Sequence, residues 1–455
     1  MSLMVSISGI RGVVGVSLTP AEIVKYSAAF AEYCHRGRII IGRDGRSGGA
    51  IVGNLVSSTL LAMGCDVTAL GIVPTPTVQI AVEKLRAAGG ISITASHNPM
   101  EWNGLKFIAP TGLFLNAEEN RRFWTIADNG SPKYSVWDKV GKHTPDDSFI
   151  DMHIDLVLSL PYINAEQIRK RKFKVVLDCI NAAGGAIVPK LLERLGVDFV
   201  PLNCELSGVF ARKPEPVPEN LQQVCAAVVR EKADFGIVVD PDVDRLVLIT
   251  DKGEPFGEEY TITTAINLIL SKRKAPNTVV VNLSTTRAVE DIAMRYSANV
   301  VRTPVGEINV ATKMESIGAI VGGEGSGGVI LPEVHLGRDA IVGIGLILQQ
   351  LAEFNGTVTE FKASLPQYTI VKEKVELTDS SPDAALQSIA DDRSNGGEVN
   401  TEDGVRIAFA DSWVHLRKSN TEPIIRIIAE APTFTAATNL AQNYKNRIAS
   451  VGNRK

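Results

Sequence analysis

The chain has 455 residues, of which 45% are hydrophobic and 22% charged, an ordinary composition for a globular protein. Its net charge of -4 and isoelectric point near 6.0 give no basic surface for nucleic acid, and no run reaches the ~18 consecutive apolar residues of a membrane span. Five cysteines without a C-x-x-C pair exclude a disulfide framework and a zinc site. Because no signal-peptide pattern is recognised either, we expect a cytoplasmic protein of about three or four domains.

Residues 1–145 alternate strand-like and helix-like segments. The stretch LTPAEIVKYSAAFAEYC predicts a helix capped by Thr19, with Pro20 at its first position and Glu22 completing a capping box. The next segments are RIIIG, AIVGNLVSSTLLAM, CDVTAL, TVQIAVEKLRAA and GISIT, which alternate between strand-like and helix-like patterns. This β-α-β-α-β order predicts a mainly parallel sheet covered by helices.

The same order recurs in residues 146–252, from FKVVLD to DFGIVVD, and in residues 253–366, from TVVVNL to AIVGG. Each unit ends in a strand followed by an unusual loop, which is TASHNP, DPDVDR or EGSGG. Because ligands bind beyond the carboxyl ends of parallel strands, these loops are the expected functional site. Residues 367–455 instead predict an α+β domain, joined through a hinge near Pro366. The sequence thus predicts three similar α/β domains with mainly parallel mixed sheets and a distinct fourth domain.

The first loop, TASHNP, contains Ser96 next to His97. Adjacent serine and histidine residues rarely orient each other as nucleophile and base, and the G-x-S-x-G pattern is absent. From these residues alone, Ser96 is a nucleophile, a phosphate carrier or a turn residue.

The second loop, DPDVDR, places Asp240, Asp242 and Asp244 at every second position, followed by Arg245. Converging carboxylates are costly unless a cation neutralises them, and an oxygen-seeking ion such as Mg²⁺ fits. A calcium EF-hand is excluded, because its glycine and glutamate positions hold Arg245 and Asp251. A solvated acidic turn is the alternative.

Two further loops are rich in hydrogen-bonding groups. GGEGSGG matches G-x-G-x-x-G, but the following VILPEVHLG does not predict the helix that a dinucleotide site needs, so the loop is interpreted as a sugar-binding loop or a plain hairpin. RKSNTEP has the composition of a phosphate-binding loop, although a turn explains it equally well.

The order and spacing of SGIRG, TASHNP with NGLKF, DPDVDR, GEGSGG and RKSNTEP resemble those of the α-D-phosphohexomutase family over essentially the whole chain. The chain is most similar to the phosphomannomutase and phosphoglucomutase type, with phosphoglucosamine mutase close by. The resemblance implies four domains around a central cleft. It also implies interconversion of hexose 1-phosphate and hexose 6-phosphate, for glucose and mannose, through a phosphoserine and a 1,6-bisphosphate intermediate.

The resemblance also implies roles for individual residues. The metal ligands would be Ser96, Asp240, Asp242 and Asp244, which hold one Mg²⁺ per chain. The catalytic residues would be the phosphoserine Ser96 with Arg11, His97, Lys106 and Arg245. The sugar and its distant phosphate would be bound by Glu324, Ser326, Arg417, Ser419, Asn420 and Thr421. A sugar 1,6-bisphosphate would be the activator, and the protein would act as a monomer or homodimer on small sugar phosphates, without nucleic acid or membrane.

Two positions depart from the family pattern. Gly328 stands where much of the family has a histidine with a role in proton transfer, so either His335 reaches back or Lys106 serves alone. Pro304 stands where many relatives have a basic residue, which weakens the substrate assignment.

Three alternatives remain open. Phosphoglucosamine mutases commonly have a glycine at the position of Asn420, which favours glucose and mannose phosphates over glucosamine phosphate here. The D-x-D pattern after a strand also fits an aspartate-nucleophile phosphatase using Asp240. A non-catalytic sugar-phosphate sensor is the third alternative.

Overall fold

The computed structural model describes residues 2–376, 381–392, 396–418 and 424–452, and these residues form four separate β-sheets. Helices cover the sheets, and the sheets follow one another along the chain. The first sheet begins with an antiparallel pair and also includes all strands up to residue 145. Its domain comprises β1 Met4–Ser6, β2 Gly9–Val13, α1 Pro20–Tyr33, β3 Ile39–Arg43, α2 Gly49–Ala62, β4 Val67–Ile72, α3 Thr75–Lys84, β5 Gly89–Ile93, β6 Trp102–Ile108, α4 Ala117–Asn129 and β7 His143–Pro145.

Helix α1 begins as the sequence predicts. Thr19 caps it by accepting a hydrogen bond from the backbone N–H of Glu22 at 3.4 Å, which is one half of the predicted capping box, and Pro20 occupies the first turn. The buried face of α1 packs on α2 and α4, over a separate hydrophobic core of the first domain that includes Phe30, Phe107 and Phe123.

The second and third domains have sheets of four and five described strands. The second contains α5 Phe149–Leu158, α6 Ala165–Arg171, β8 Lys174–Asp178, α7 Gly184–Leu195, β9 Asp198–Leu202, α8 Gln222–Glu231, β10 Phe235–Val239 and β11 Leu246–Ile249. The third contains α9 Glu259–Lys272, β12 Thr278–Asn282, α10 Ala288–Arg295, β13 Asn299–Thr303, α11 Glu307–Ile317, β14 Val321–Glu324, β15 Gly328–Leu331, β16 His335–Arg338, α12 Ala340–Glu353 and α13 Val358–Ser364.

The three sheets share one strand order, so the predicted repeat is present in the fold. The shared order is β6-β5-β3-β4 in the first sheet, β11-β10-β8-β9 in the second and β15-β14-β12-β13 in the third. In each sheet the last three of these strands are parallel and the first is antiparallel to its neighbour. Each predicted functional loop joins the third parallel strand along the chain to this antiparallel strand. The three loops therefore leave equivalent positions of three equivalent sheets.

A strand, and not a helix, follows the glycine-rich loop. Gly325, Ser326 and Gly327 link β14 to β15 in an antiparallel pair. A dinucleotide fingerprint requires a helix at this point, so the match to G-x-G-x-x-G has no such meaning here.

The fourth domain is an antiparallel sheet with two described helices. It contains β17 Thr369–Glu376, α14 Pro382–Ala390, β18 Glu398–Asn400, β19 Val405–Ala408, β20 Trp413–Lys418, β21 Ile424–Ala431 and α15 Phe434–Gly452. The strand order is β17-β21-β20-β19-β18, and every neighbouring pair is antiparallel. This is the predicted α+β domain.

One hydrophobic core runs through the first three domains, whereas the fourth domain has its own. The shared core joins Val78 of α3, Leu191 of α7 and Ile344 of α12, and α12 is buried along nearly its whole length. Within the described ranges, no single helix is long and apolar enough to cross a membrane. Helices α12 and α13 meet that criterion only as a pair bent by 92°, by length and composition alone.

Candidate active site

A single cleft of about 510 Å³ collects side chains from all four domains. Most of the predicted site residues line it, namely Arg11, Ser96, His97, Lys106, Arg245, Glu324, Ser326 and Arg417. The loop DPDVDR, called the metal loop below, contributes three buried aspartates beside the cleft. One oxygen of each aspartate lies within 4.8 Å of the others. Ser419, Asn420 and Thr421 lie outside the described residues. The loops that the sequence places at equivalent strand ends thus meet in space.

Ser96 lies at the base of the cleft, where its side chain touches the metal loop. Its Oγ is 3.3 Å from Oδ2 of Asp240 and 3.3 Å from Nδ1 of His97, and the residue is only 1% exposed. Its φ angle of 49° is in the left-handed region, which costs about 1–3 kcal/mol for a residue other than glycine. The surrounding structure must therefore hold this backbone in place.

Arg46 supplies most of that support. Its guanidinium is fully buried and donates to the backbone carbonyls of Ser96 at 2.6 Å, Pro99 at 3.1 Å and Trp102 at 2.7 Å. Its charge is paired with Asp44 at 2.8 Å. One cation thus gathers carbonyl oxygens from both ends of the serine loop.

Three buried carboxylates form the metal loop, and two of their oxygens have no hydrogen-bond partner. Asp240 Oδ1 accepts the backbone N–H groups of Asp244 and Arg245 at 3.2 Å each, which folds the loop back on itself. Lys106 Nζ donates to Oδ2 of Asp242 at 2.6 Å and to Oδ2 of Asp244 at 3.3 Å. Oδ1 of Asp242 and Oδ1 of Asp244 are buried and accept no hydrogen bond, although Arg245 Nε lies 3.8 Å from the second of them.

This donor set fits a hard divalent cation. Orphaned buried oxygens are costly unless something binds them, and carboxylate oxygens are the ligands that Mg²⁺ prefers. Burial, and then the carboxylates of Asp244 and Asp242, raise the pKa of Asp240 well above its ordinary value. A cation among the three groups would remove that mutual repulsion. A solvated acidic turn is excluded, because all three side chains are buried.

Lys106 is a charged donor in this arrangement. Burial lowers its pKa, but the carboxylates of Asp242 and Asp244 outweigh that effect and the pKa is raised overall. His97, in contrast, is uncharged. Burial, and then the charges of Arg245 and Arg11, lower the pKa of His97 to about 3, so its imidazole is neutral.

The glycine-rich loop GGEGSGG, called the sugar loop below, is fixed by three hydrogen bonds to Glu324. Its Oε1 accepts from Asn282 Nδ2 at 2.8 Å and from the backbone N–H of Gly306 at 2.9 Å, and its Oε2 accepts from Arg338 at 2.7 Å. Ser326 lines the cleft beside it. Close by, Glu259 is half-buried, and desolvation of its carboxylate, with the charge of Glu258, raises its pKa to about 8.

His335 does not reach back to the cleft. Its Nε2 is 3.2 Å from Oδ2 of Asp339, and the same oxygen is 2.7 Å from Nε2 of His153 in the core between the domains. The side chain of His335 is 1% exposed and is not among the cleft-lining residues. Of the two sequence hypotheses for the missing loop histidine, only Lys106 stands in the site.

The fourth domain contributes several cations to the same cleft. Arg417 on β20 lies directly across from Arg426 on β21, and both line the cleft with Lys372 of β17. Asp403 accepts from Arg417 Nε at 3.0 Å and from the backbone N–H of Val305 at 2.8 Å. The fourth domain is therefore closed on the third in this structure.

Several cleft residues are absent from the sequence hypotheses, namely Lys372, Arg426, Glu259, Glu307 and Arg338. Arg426 carried a recognisable signal, because it lies in the strand that follows RKSNTEP. The others lie in ordinary helical or strand segments, and only the tertiary fold brings them to the cleft.

The repeated fold and the cleft together define a phosphoryl-transfer enzyme. The chain matches four family models described as phosphoglucomutase/phosphomannomutase. These are alpha/beta/alpha domain I at residues 4–133, domain II at 151–253, domain III at 257–368 and the C-terminal domain at 373–446. The boundaries at residues 145, 252 and 366 remain predictions.

Two proteins of similar sequence align with this chain over nearly the whole length of both. A protein of Methanopyrus kandleri named probable phosphoglucosamine mutase is 34% identical over 441 residues, 96% of each chain. A phosphoglucomutase/phosphomannomutase of Thermococcus kodakarensis is 35% identical over 431 residues, 93% of each chain. The chain belongs to the phosphoglucomutase/phosphomannomutase family, that is, to the α-D-phosphohexomutases.

Solved structures show the same fold. A family member from Burkholderia thailandensis superposes with a TM-score of 0.86 at 24% identity, over 99% of both chains. The N-acetylphosphoglucosamine mutase of Aspergillus fumigatus, solved in complex with GlcNAc-6P and magnesium, superposes with a TM-score of 0.62 at 16% identity, over 99% of this chain and 96% of that one.

Proposed function

We propose that this phosphohexomutase interconverts the 1- and 6-phosphates of glucose and mannose, with Ser96 as the phosphoryl carrier. The observation that carries the proposal is the contact between Ser96 Oγ and Asp240 in a cleft that is lined by cations from all four domains. A nucleophile, a metal-binding carboxylate triad and a distant phosphate-binding end are the parts that a mutase reaction requires.

In the first half-reaction, phosphorylated Ser96 transfers its phosphoryl group to the free hydroxyl oxygen of a hexose 1-phosphate. The Oγ–P bond of Ser96 breaks as the bond between the sugar oxygen and phosphorus forms. The proton of that hydroxyl ends on Ser96 Oγ, and a hexose 1,6-bisphosphate results. Arg11, Lys106 and Arg245 are positioned to neutralise charge on the phosphoryl oxygens. Mg²⁺, held by Asp240, Asp242 and Asp244 with Ser96, would supply further Lewis-acid stabilisation of that charge.

In the second half-reaction, the bisphosphate turns end for end and returns its other phosphoryl group to Ser96. Arg417 and Arg426 then hold the phosphate that does not react. Glu324 and Ser326 line the cleft, and their side chains are suited to bind hydroxyl groups of the sugar. Free 1,6-bisphosphate is accordingly the expected activator, because it can phosphorylate Ser96 directly. A cytoplasmic location and a monomeric or homodimeric state stay predictions.

Phosphoglucosamine mutase activity is the second candidate. It is favoured by the similarity to the Methanopyrus kandleri relative, which bears that name. The magnesium and GlcNAc-6P in the Aspergillus fumigatus neighbour support a metal-dependent reaction on a sugar phosphate in both cases.

The test is a comparison of kcat/KM for the 1-phosphates of glucose, mannose and glucosamine, with Mg²⁺ and a trace of the matching 1,6-bisphosphate. We expect isomerisation of every substrate that the enzyme turns over to require Ser96, because among the described cleft-lining hydroxyl groups it is the one that contacts the aspartates of the metal loop. Ser96→Ala should lower kcat by a factor of about 10³ or more. Intact mass should show one added phosphate on the wild-type protein and none on Ser96→Ala.

Other outcomes separate the alternatives. Full turnover by Ser96→Ala would refute the phosphoserine mechanism. Release of inorganic phosphate without isomerisation, abolished in Asp240→Asn, would favour the phosphatase. Tight binding of sugar phosphate without turnover would favour the sensor. A kcat/KM for glucosamine 1-phosphate tenfold above the other two would assign the amino sugar.

A further inference from the structure

Arg338, at the end of β16, joins three acidic side chains that belong to different parts of the site. Its three guanidinium nitrogens each donate to a different carboxylate, which are Glu324 at 2.7 Å, Asp244 at 2.7 Å and Glu307 at 3.1 Å. The side chain is 10% exposed and lines the cleft. The metal loop, the sugar loop and the start of α11 thus share one cation.

Gly328 leaves the space that this arginine occupies. A Cβ atom at residue 328 would lie 2.3 Å from Cδ and 2.9 Å from Cγ of Arg338, closer than atoms can pack. Gly328 does not have a positive φ angle, so the backbone itself does not demand glycine. The requirement for glycine comes from the arginine side chain that passes over it.

Arg338 binds only one of the two carboxylate oxygens of Asp244. Its Nη2 binds Oδ2, the oxygen that Lys106 also contacts, while Oδ1 accepts no hydrogen bond and has the Nε of Arg245 at 3.8 Å. A lysine could satisfy only part of this pattern, because it carries a point charge and lacks the planar fork of arginine.

We propose that Arg338 is a positioning residue that takes the space of a side chain at residue 328 and fixes the metal loop and the sugar loop relative to each other. It orients Asp244 for Mg²⁺ through one nitrogen and Glu324 for the sugar through another. This inference rests on the proposed mutase function for its kinetic consequence, but its effect on Mg²⁺ affinity does not depend on turnover.

The first test compares Arg338→Gln and Arg338→Lys with wild type. We expect Arg338→Gln to weaken Mg²⁺ binding, measured by calorimetric titration with MgCl₂, by about 10- to 100-fold, as is typical when a group that orients a metal ligand is lost. The kcat/KM for the sugar phosphate should fall by at least the same factor, and Arg338→Lys should recover part of both. Arg171→Gln is the matched control, because Arg171 donates to the carbonyl of Phe354 and does not line the cleft.

The second test is a double-mutant cycle. Its expected result would not be obtained if Arg338 had only a general structural role. Gly328→Ala should displace the arginine and reproduce the losses of Arg338→Gly. In the Arg338→Gly background, the added methyl group has room, so Gly328→Ala should change Mg²⁺ affinity and kcat/KM less than twofold further. Thermal unfolding of each variant identifies any that fail to fold, and Arg338→Lys then carries the test.

Two results would overturn the proposal. One is Mg²⁺ affinity and kcat/KM within twofold of wild type in Arg338→Gln. The other is a double mutant whose losses are the product of those of the two single variants. If the wild-type protein does not isomerise hexose phosphates but the Mg²⁺ affinities follow the expected order, the proposed function fails while this inference stands.

Discussion

At the scale of single residues, the site depends on buried arginines that bind several partners at once. Arg46 holds three carbonyls of the serine loop and pairs with Asp44. Asp44 in turn accepts from the hydroxyl of Thr94 at 2.6 Å, and the oxygen of that hydroxyl accepts the backbone N–H of Ser96 at 2.8 Å. The left-handed backbone of Ser96 is thus fixed from its nitrogen and from its carbonyl by one connected set of hydrogen bonds.

Arg46→Lys should therefore impair catalysis without removing the charge that balances Asp44. A lysine can reach only some of the carbonyls, and each buried carbonyl left unsatisfied costs about 1–3 kcal/mol. We expect kcat to fall about tenfold or more, because a shift of about 1 Å in a reacting group can cost a hundredfold. The measurements are kcat and the midpoint of denaturant unfolding.

Arg36→Lys is the control for that substitution. Arg36 pairs with Glu32 within one exposed turn at the end of α1, and such surface pairs contribute at most about 1 kcal/mol. Equal effects of the two substitutions on kcat would contradict the role of Arg46 in holding Ser96.

The contacts of these arginines could not be predicted from the sequence. Ser96, the aspartates and Glu324 lie in short loops with unusual composition, so the sequence identified them. The partners of Arg338 lie 14, 31 and 94 positions away along the chain, and no local pattern records such contacts. Arg46 lies near a strand end in an ordinary turn, and its carbonyl partners have no sequence signature at all.

At the scale of secondary structure elements, alternating helix and strand patterns predicted the three α/β units and the loops that meet. The antiparallel direction of the strand that closes each unit could not be predicted in this way, because β11 and β15 are as apolar as the parallel strands and the composition of β6 does not record its direction. The order of strands within each sheet likewise depends on tertiary packing.

Strand β20 carries a histidine that links the fourth domain to the third. His415 Nε2 lies 2.6 Å from the carbonyl oxygen of Asp403, which can only accept, so Nε2 carries the proton. Nδ1 is then free to accept from the hydroxyl of Ser284 at 2.8 Å. Burial is the main cause that lowers the pKa of His415 to about 4, which matches a neutral ring.

His415 should make the protein less stable in mild acid. Its pKa is lower in the folded state than in the unfolded state, so the unfolded state binds more protons between about pH 4 and 6.5 and stability falls as the pH drops through that range. At pH 5 the contribution is about 2 kcal/mol relative to neutral pH. We expect His415→Gln to lose less stability than wild type between pH 7 and pH 5 in denaturant titrations.

The exposed His143 provides the control for that experiment. His143→Gln should retain the wild-type loss of stability between the two pH values. If His415→Gln retains it as well, His415 is not the group responsible.

At the scale of the whole molecule, the first three domains share one hydrophobic core. A single hydrophobic core joins α3, α7 and α12, whereas the fourth domain packs around its own core, which includes Ile407, Ile427 and Ile448. The contacts between the third and fourth domains include polar pairs such as Lys372 with Glu258 at 2.6 Å and Tyr368 with Asp291 at 2.7 Å. A mostly separate fourth domain is consistent with opening and closing of the cleft.

A chain ending at Pro366 should therefore fold and bind Mg²⁺, but it should not isomerise sugar phosphates, because Arg417 and Arg426 are missing. We expect cooperative thermal unfolding and a calorimetric Mg²⁺ affinity within about threefold of the full chain. A chain ending at residue 252 is the control, because that cut divides the shared core and should prevent cooperative unfolding. An unfolded 1–366 fragment would show that the fourth domain is part of the same folding unit.

The burial of Ser96 also limits how the enzyme first becomes active. A protein kinase binds its target serine in an extended peptide segment, whereas Ser96 is 1% exposed and lies in a loop that is held by Arg46. Only a small donor can bring a phosphate group to that oxygen while the protein stays folded. The supply of the small donor, and not a signalling cascade, is then expected to determine what fraction of these molecules is ready to react.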